Sequence, residues 1–315
     1  MITVVRYTEA EKERWNQFNA SAQKPLFMFD RGFMDYHKDR FQDHSLMFYD
    51  DGELVAILPM SQRENTLNSH GGLTYGGFIT GSKMKQHTMN ECFEQLIRYA
   101  GENGVERIIY KMIPHIYHEQ PAEEDRYALF LNHASVLKVE ASTVVNLKQP
   151  LKMPKGRKAQ ISRAKREGVV VQELATPEDF ERFIALENEV LCQHHETKAV
   201  HTGAELALLH GRFPEQLRLF GALKDGELIA GSVVFVYGQV VHTQYMAAND
   251  LARKIGALDL TISTIIDQYK NEKLWLDFGI STEDAGRTLN EGLIAQKEGF
   301  GGRTNVYETF WLDIG

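Results

Sequence analysis

Apolar and polar positions along the 315-residue chain fall into two series with the same order. In the first, LMFYDDGELVAILPM, apolar strand-like residues flank Asp51-Gly52; in the second, LRLFGALKDGELIAGSVVFV, they flank Asp225-Gly226. Asp-Gly between two strand patterns is a strong hairpin signal, because both turn positions require a positive φ. The two copies, DGELVA and DGELIA, lie 174 residues apart. Each hairpin is followed by a further strand pattern, around Leu73–Ile79 and Val240–Ala248, and then by helical spacing. The first helix is predicted to be capped by Thr88, with Glu91 completing a capping box. It should bury Met89, Cys92, Phe93, Leu96, Ile97 and Ala100. The second is capped by Asn249 or Asp250 and runs through Leu251, Ile255, Leu258, Ile262 and Ile265 to Tyr269. Strands at Val105–Lys111 and Leu274–Phe278 follow them. Each half also opens with a helix: Glu9–Ala22, carrying Trp15 and Phe18, and one started by Thr176-Pro177, carrying Phe180, Phe183 and Leu191.

A repeated hairpin, strand, helix and strand predicts an α+β chain of two tandem lobes, each a mixed, mostly antiparallel sheet flanked by helices. The length suits two domains of about 100–200 residues, placed at 1–147 and 148–315. The second opens with a basic helix, 155–167, which starts after Pro154 and ends at Gly168 with only Ile161 and Ala164 as an apolar face.

Composition narrows the function classes. Hydrophobic residues make up 43% and charged residues 25%, the profile of a globular chain. Its apolar runs are strand-sized, so no membrane insertion is expected. The start, MITVVRYTEAEKERW, lacks the basic-then-apolar pattern of a secretion signal. Cys92 and Cys192 lie far apart, which argues against a disulfide framework and for a reducing cytoplasm. A net charge of −8 argues against a surface given over to nucleic acid. The charge is uneven: eight Lys/Arg and no acid fall between Lys148 and Arg166. Within that stretch Lys155, Arg157, Lys158, Arg163, Lys165 and Arg166 can track the phosphates of a tRNA or of coenzyme A, or form a solvated linker. The run Cys192, His194, His195 and His201 invites a metal. Neighbouring histidines point to different sides of a helix, however, and His195-Glu196 followed by His201 is not zincin spacing, so no metal is expected. The glycines between Gly71 and Gly81 lack dinucleotide-loop spacing and read as turns.

The candidate chemistry lies in the second half. A strand running into a helix start presents unpaired N–H groups to an anion, and Tyr245–Ala257 is such a junction. Ala247 and Ala248 allow close approach, Asn249 caps, and Arg253, Lys254, Gly256 and Ala257 follow. This resembles the pyrophosphate-cradling pattern Arg/Gln-x-x-Gly-x-Gly/Ala of the GNAT acetyltransferases, with Leu258 in the last small position. The strand ending Asp277-Phe278-Gly279, the helix from Asn290 and its ending Lys297-Glu298-Gly299-Phe300-Gly301 resemble the Fem-like branch, which contains the peptidoglycan aminoacyltransferases. The basic helix before the second lobe matches that branch too. The resemblance covers residues 145–315 well and 1–145 in outline. It implies two tandem GNAT-like lobes, the first structural or on the acceptor side and the second on the acyl-donor side. It implies acyl-CoA (acetyl-CoA) as co-substrate, an amine acceptor, and roles for two residues. Lys297 is expected to steady charge at the reacting carbonyl and Asp277 to bind or deprotonate the amine. The tyrosine that GNAT enzymes often carry on the last helix is absent near Ala295, leaving Tyr245 and His242 as substitutes for proton handling. The Fem enzymes' helical arm is absent as well.

Three readings follow. The first is transfer of an acyl group from acyl-CoA to a small or peptide-like amine. The second is aminoacyl-tRNA-dependent transfer to a cell-wall precursor, with the basic helix holding the tRNA. The third is a non-catalytic relic that only binds ligand.

Overall fold

The computed structural model describes the backbone of residues 1–195 and 198–315, and the side chains of all of these except 193–195. The side chains of His194 and His195, and the whole of Glu196, therefore lie outside the described residues.

The first part of the chain forms β1 (Ile2–Arg6), α1 (Lys12–Ala20), α2 (Arg31–Met34), β2 (Gln42–Asp43), β3 (Leu46–Asp50) and β4 (Glu53–Leu58). It continues through β5 (Ser61–Arg63), β6 (Thr66–Asn68), β7 (Ile79–Thr80), α3 (Gln86–Glu102), β8 (Arg107–Lys111), α4 (Glu124–Leu131) and β9 (Ser135–Asn146). Then come α5 (Lys155–Arg166), β10 (Val170–Leu174), α6 (Pro177–His195), α7 (Gly203–Arg212), β11 (Leu217–Lys224), β12 (Glu227–Val236) and β13 (Val240–Ala248). The remainder is α8 (Asp250–Ile255), α9 (Ala257–Tyr269), β14 (Trp275–Ile280), β15 (Thr282–Glu283), β16 (Thr288–Leu289), α10 (Glu291–Glu298) and β17 (Arg303–Asp313).

These elements form two compact units, and a single cut near residue 147 does not describe them. Unit 1 holds 1–140, 282–288 and 306–315; unit 2 holds 141–281 and 289–305. The chain end returns to unit 1 because β17 pairs antiparallel with β8 over Thr309–Asp313.

Unit 1 contains the sheet β1-β3-β4-β7 and the run β17-β8-β6-β5-β2, all antiparallel except β6 with β8. Its core packs the apolar face of α3 (Met89, Cys92, Phe93, Leu96) on Phe48, Phe78 and Tyr110. The helix itself begins earlier than its apolar pattern suggests. Lys85 takes the extended N-cap conformation without a side-chain cap, which leaves Thr88 inside the helix and no capping box at Glu91.

Unit 2 is the sheet β10-β11-β12-β13-β14-β9, antiparallel throughout except between β13 and β14. Both Asp-Gly hairpins form as expected, with φ of 46° and 86° at Asp51-Gly52 and 52° and 83° at Asp225-Gly226. Thr176 caps α6 and exchanges hydrogen bonds with Asp179. On one face of the sheet, Ile262 and Ile265 of α9 bury Val145, Phe220, Val234, Val241 and Leu276. Beside them Ile161 and Ala164 of α5 pack with Ala230, Ala248, Ile255 and Ala257. On the opposite face α6 lies along β12 and β13. The helix expected from Leu251 to Tyr269 is two helices. Gly256 ends α8 at φ 81° and a Cβ there would meet the Gln160 carbonyl oxygen at 2.7 Å, so α5 and α8 approach through it.

No helix among the described residues is long and apolar enough to cross a membrane.

Candidate functional site

The site begins with how β13 and β14 part. They pair in parallel at Val240–Trp275, Val241–Leu276 and His242–Asp277. Beyond that, β13 continues to Ala248 and β14 to Ile280 with no described pairing between them. A parallel pair that opens at its carboxyl ends leaves one edge of β13 with unpaired N–H and C=O groups, where an extended ligand can add. On its other edge, the ladder with β12 steps from Val233–Tyr245 to Val234–Thr243, so Gln244 is bulged out of register.

His242 and Asp277 sit at the fork of the opening, both buried. His242 Nδ1 lies 3.3 Å from Asp277 Oδ2. The other oxygen, Oδ1, accepts from Ser142 Oγ at 2.5 Å and from the Gly279 amide at 3.0 Å. Asp277 thus caps the turn after β14 and faces a histidine, a partner the sequence did not give it.

Lys297, in the last turn of α10, reaches the same strand end. Its Nζ donates to the Gly279 and Ile280 carbonyl oxygens at 3.0 and 2.6 Å. Burial lowers its pKa to about 8, against the pull of nearby Asp277. An ammonium has three donors, and these two bonds leave the third for a further acceptor. Just beyond, Phe300 packs at a tilt against Phe278 (5.5 Å between centroids, 34° between planes) and lies 4.4 Å beneath the Arg157 guanidinium. Arg157 also bonds to the Gln296 carbonyl and pairs with Asp259, so α5 is fastened to α9 and to α10. Lys155, Lys158, Lys165 and Arg166 of that helix remain exposed.

Tyr245 lies three residues past His242 on β13. Its hydroxyl is 2.6 Å from His201 Nδ1, and burial raises its pKa to about 12. Ala247 and Ala248 are buried in the strand, paired with Gly231 and Ala230. Asn249 caps α8 by accepting from the Ala252 amide at 2.9 Å. Arg253 and Lys254 are exposed, whereas Gly256 and Ala257 are buried beneath α5. The structure therefore gathers His242, Asp277 and Lys297 at the end of β14. Tyr245 stands further along β13, and the predicted phosphate residues divide into exposed cations and buried packing positions. Ser142 escapes the sequence reading because long-range pairing brings it in, and His201, singled out there only as a metal candidate, instead meets Tyr245. Glu187, discussed below, had a visible signal: an acid within the apolar stripe Phe180, Phe183, Ile184, Leu191.

This geometry meets the comparisons at one place. Residues 155–285 match the acetyltransferase (GNAT) domain family. The chain carries a GNAT acyltransferase domain. Among solved structures, FemX covers 97% of this chain and 96% of its own, with a TM-score of 0.68 at 10% identity. The L-PGS of Bacillus licheniformis covers 98% and 92%, at TM-score 0.65 and 14% identity. A tandem GNAT protein from the clavulanic acid biosynthesis pathway covers 100% and 99%, at 0.58 and 11%. At such identities these likenesses give the fold, and it is the Fem-like tandem GNAT plan over the whole chain. Curated protein sequences yield no match.

Proposed function

We propose that the protein transfers an acyl group from acyl-CoA to an amine. The observation that carries this is the divergence of β13 and β14 just beyond the buried His242–Asp277 pair. The open edge of β13 suits a donor with amide groups of its own, as the pantetheine arm of coenzyme A has. The phosphates then lie at the start of α8, where the Asp250 and Leu251 amides, Arg253 and Lys254 can meet them. Ala247, Ala248 and Asn249 shape the approach, and Gly256 and Ala257 support it from behind. The acyl carbonyl lies near the fork. As the amine attacks, charge develops on the carbonyl oxygen, and the remaining Lys297 donor can steady it. The Tyr245 hydroxyl, kept protonated by burial and backed by His201, can return a proton to the leaving sulfur.

A second reading, aminoacyl transfer from a charged tRNA, is favoured by the whole-chain likeness to FemX and by the exposed cations of α5. Titration of the full chain with coenzyme A, acetyl-CoA and charged tRNA, followed by thermal denaturation, separates the two. Only a ligand of the native state raises Tm. Stabilisation by coenzyme A supports the first reading, stabilisation by charged tRNA alone supports the second, and no response to either sinks both.

A further inference from the structure

The face of the sheet beneath α6 holds a buried acid that the site above does not use. Glu187 points from α6 into unit 2, is 7% exposed, and its Oε2 has no hydrogen-bond partner. A buried polar atom without a partner is costly and needs a reason. On β13, against which α6 packs, Gln244 Oε1 is also buried without a partner, and Gln244 is the residue the bulge releases. Two unsatisfied acceptors on facing elements fit a ligand rich in N–H donors.

We infer that Glu187 takes the proton from the acceptor amine, and that Glu187 and Gln244 together hold that amine over β13. This rests on the acyl-transfer reading above. The amine nitrogen bonds to the acyl carbon, and its surplus proton passes to Glu187. The carbon–sulfur bond, or carbon–oxygen bond for an aminoacyl ester, breaks with the electron pair leaving on the heteroatom. That atom takes a proton from Tyr245; the proton on Glu187 goes to solvent, and Tyr245 recovers one from solvent.

Burial supports the role by raising the Glu187 pKa to about 7, so that the carboxylate is both present and basic near neutrality. Among the described residues, the titratable groups on elements packed against α6 are Tyr245 and His242 on β13, Glu227 on β12, and Glu205, His210 and Arg212 on α7. Tyr245 is coupled to Glu187, whose charge adds to the burial that raises the phenol. His242 faces Asp277, His210 bonds to the Leu217 carbonyl and Glu205 closes the Thr202 cap. His201, in the segment before α7, bonds to Tyr245. On α6 itself Glu178, Asp179, Glu181, Arg182 and Glu189 are the remaining charges.

The test compares wild type, Glu187→Gln and Glu187→Asp, using acetyl-CoA and charged tRNA as donors and a panel of primary amines as acceptors. Infrared difference spectra across pH report the carboxyl directly, whatever the activity. Glu187→Gln should lower kcat/KM roughly 10²–10⁴-fold and abolish the acid limb of the pH profile near 7. It should also remove a carboxyl band titrating there. Glu187→Asp should keep the limb at an intermediate rate. A Glu187→Gln protein that keeps its rate within about threefold and its acid limb, while wild type transfers acyl groups, overturns the role of Glu187 alone. Wild type that transfers from neither donor overturns the acyl-transfer reading and this inference with it.

Discussion

Replacing Lys297 by Met tests the centre of the site. The ammonium is buried, and its pKa falls from 10.5 to about 8. At 1.36 kcal/mol per unit, the fold disfavours the charged form by about 3 kcal/mol. The sign follows from proton counting. Between pH 8 and 10.5 the unfolded chain keeps a proton that the folded chain has released, so stability rises with pH across that window. Lys297→Met removes this contribution. It also leaves the Gly279 and Ile280 carbonyl oxygens without their donor, at about 1–3 kcal/mol each. Stability at pH 7 therefore changes little in net, while its slope above pH 8 falls by the share Lys297 contributes and keeps the share of buried Lys111, as denaturant midpoints at several pH values would record. Activity behaves otherwise. If the third N–H meets the developing oxyanion, kcat falls roughly 10²–10³-fold with KM almost unchanged. The wild-type alkaline limb then sits near pH 8 instead of the ordinary lysine range. A Met variant turning over within about threefold of wild type, or a wild-type rate flat up to pH 10, refutes the assignment.

Further predictions concern the supports of the site. Asp277→Asn should fold, since it is isosteric, yet lower kcat at least about tenfold by weakening the hold on His242; unchanged turnover removes the pair from the mechanism. Gly256→Ala places a Cβ 2.7 Å from the Gln160 carbonyl at a positive φ, and should cost about 2–3 kcal/mol in denaturant unfolding. Replacing Lys155, Lys158, Lys165 and Arg166 by Gln should leave coenzyme A affinity intact. If tRNA binds α5, the change should flatten the salt dependence of its affinity by about 0.7 per lost phosphate contact.

The sequence showed the hairpins and the buried faces of α3, α5 and α6, because those follow from local turn chemistry and periodicity; of the strand expected around Leu73–Ile79 only Ile79–Thr80 forms. It misled at the α8–α9 break: Leu251, Ile255, Leu258 and Ile262 keep helical spacing across Gly256, whereas in the structure that glycine takes a left-handed φ and leaves no room for a Cβ beside the Gln160 carbonyl of α5. The cap at Thr88 failed for a related reason. Apolar spacing gives the phase of a helix, while the conformation of Lys85 sets its first turn. Lys297 and Asp277, singled out from the resemblance of their motifs, lie at one strand end, whereas Ser142 arrives by pairing across more than a hundred residues. Most of the basic helix is exposed as its composition implied, but Arg157 is spent on Phe300 and Asp259.

The pH behaviour of the whole site follows from one cause acting on charges of opposite sign. Burial disfavours an ionised carboxyl and an ionised amine alike, so it lifts Glu187 to about 7 and lowers Lys297 to about 8. Both must be charged for the chemistry proposed: a carboxylate to take the proton and an ammonium to meet the oxyanion. Treated as independent, they are charged together in about 60% of molecules near pH 7.5 and in about 10% at pH 6 or 9. The rate should therefore trace a narrow bell. Each limb belongs to one residue: Glu187→Gln should remove the acid side only and Lys297→Met the alkaline side only, at reduced rates. A bell whose limbs both survive either change would mean that neither residue sets it.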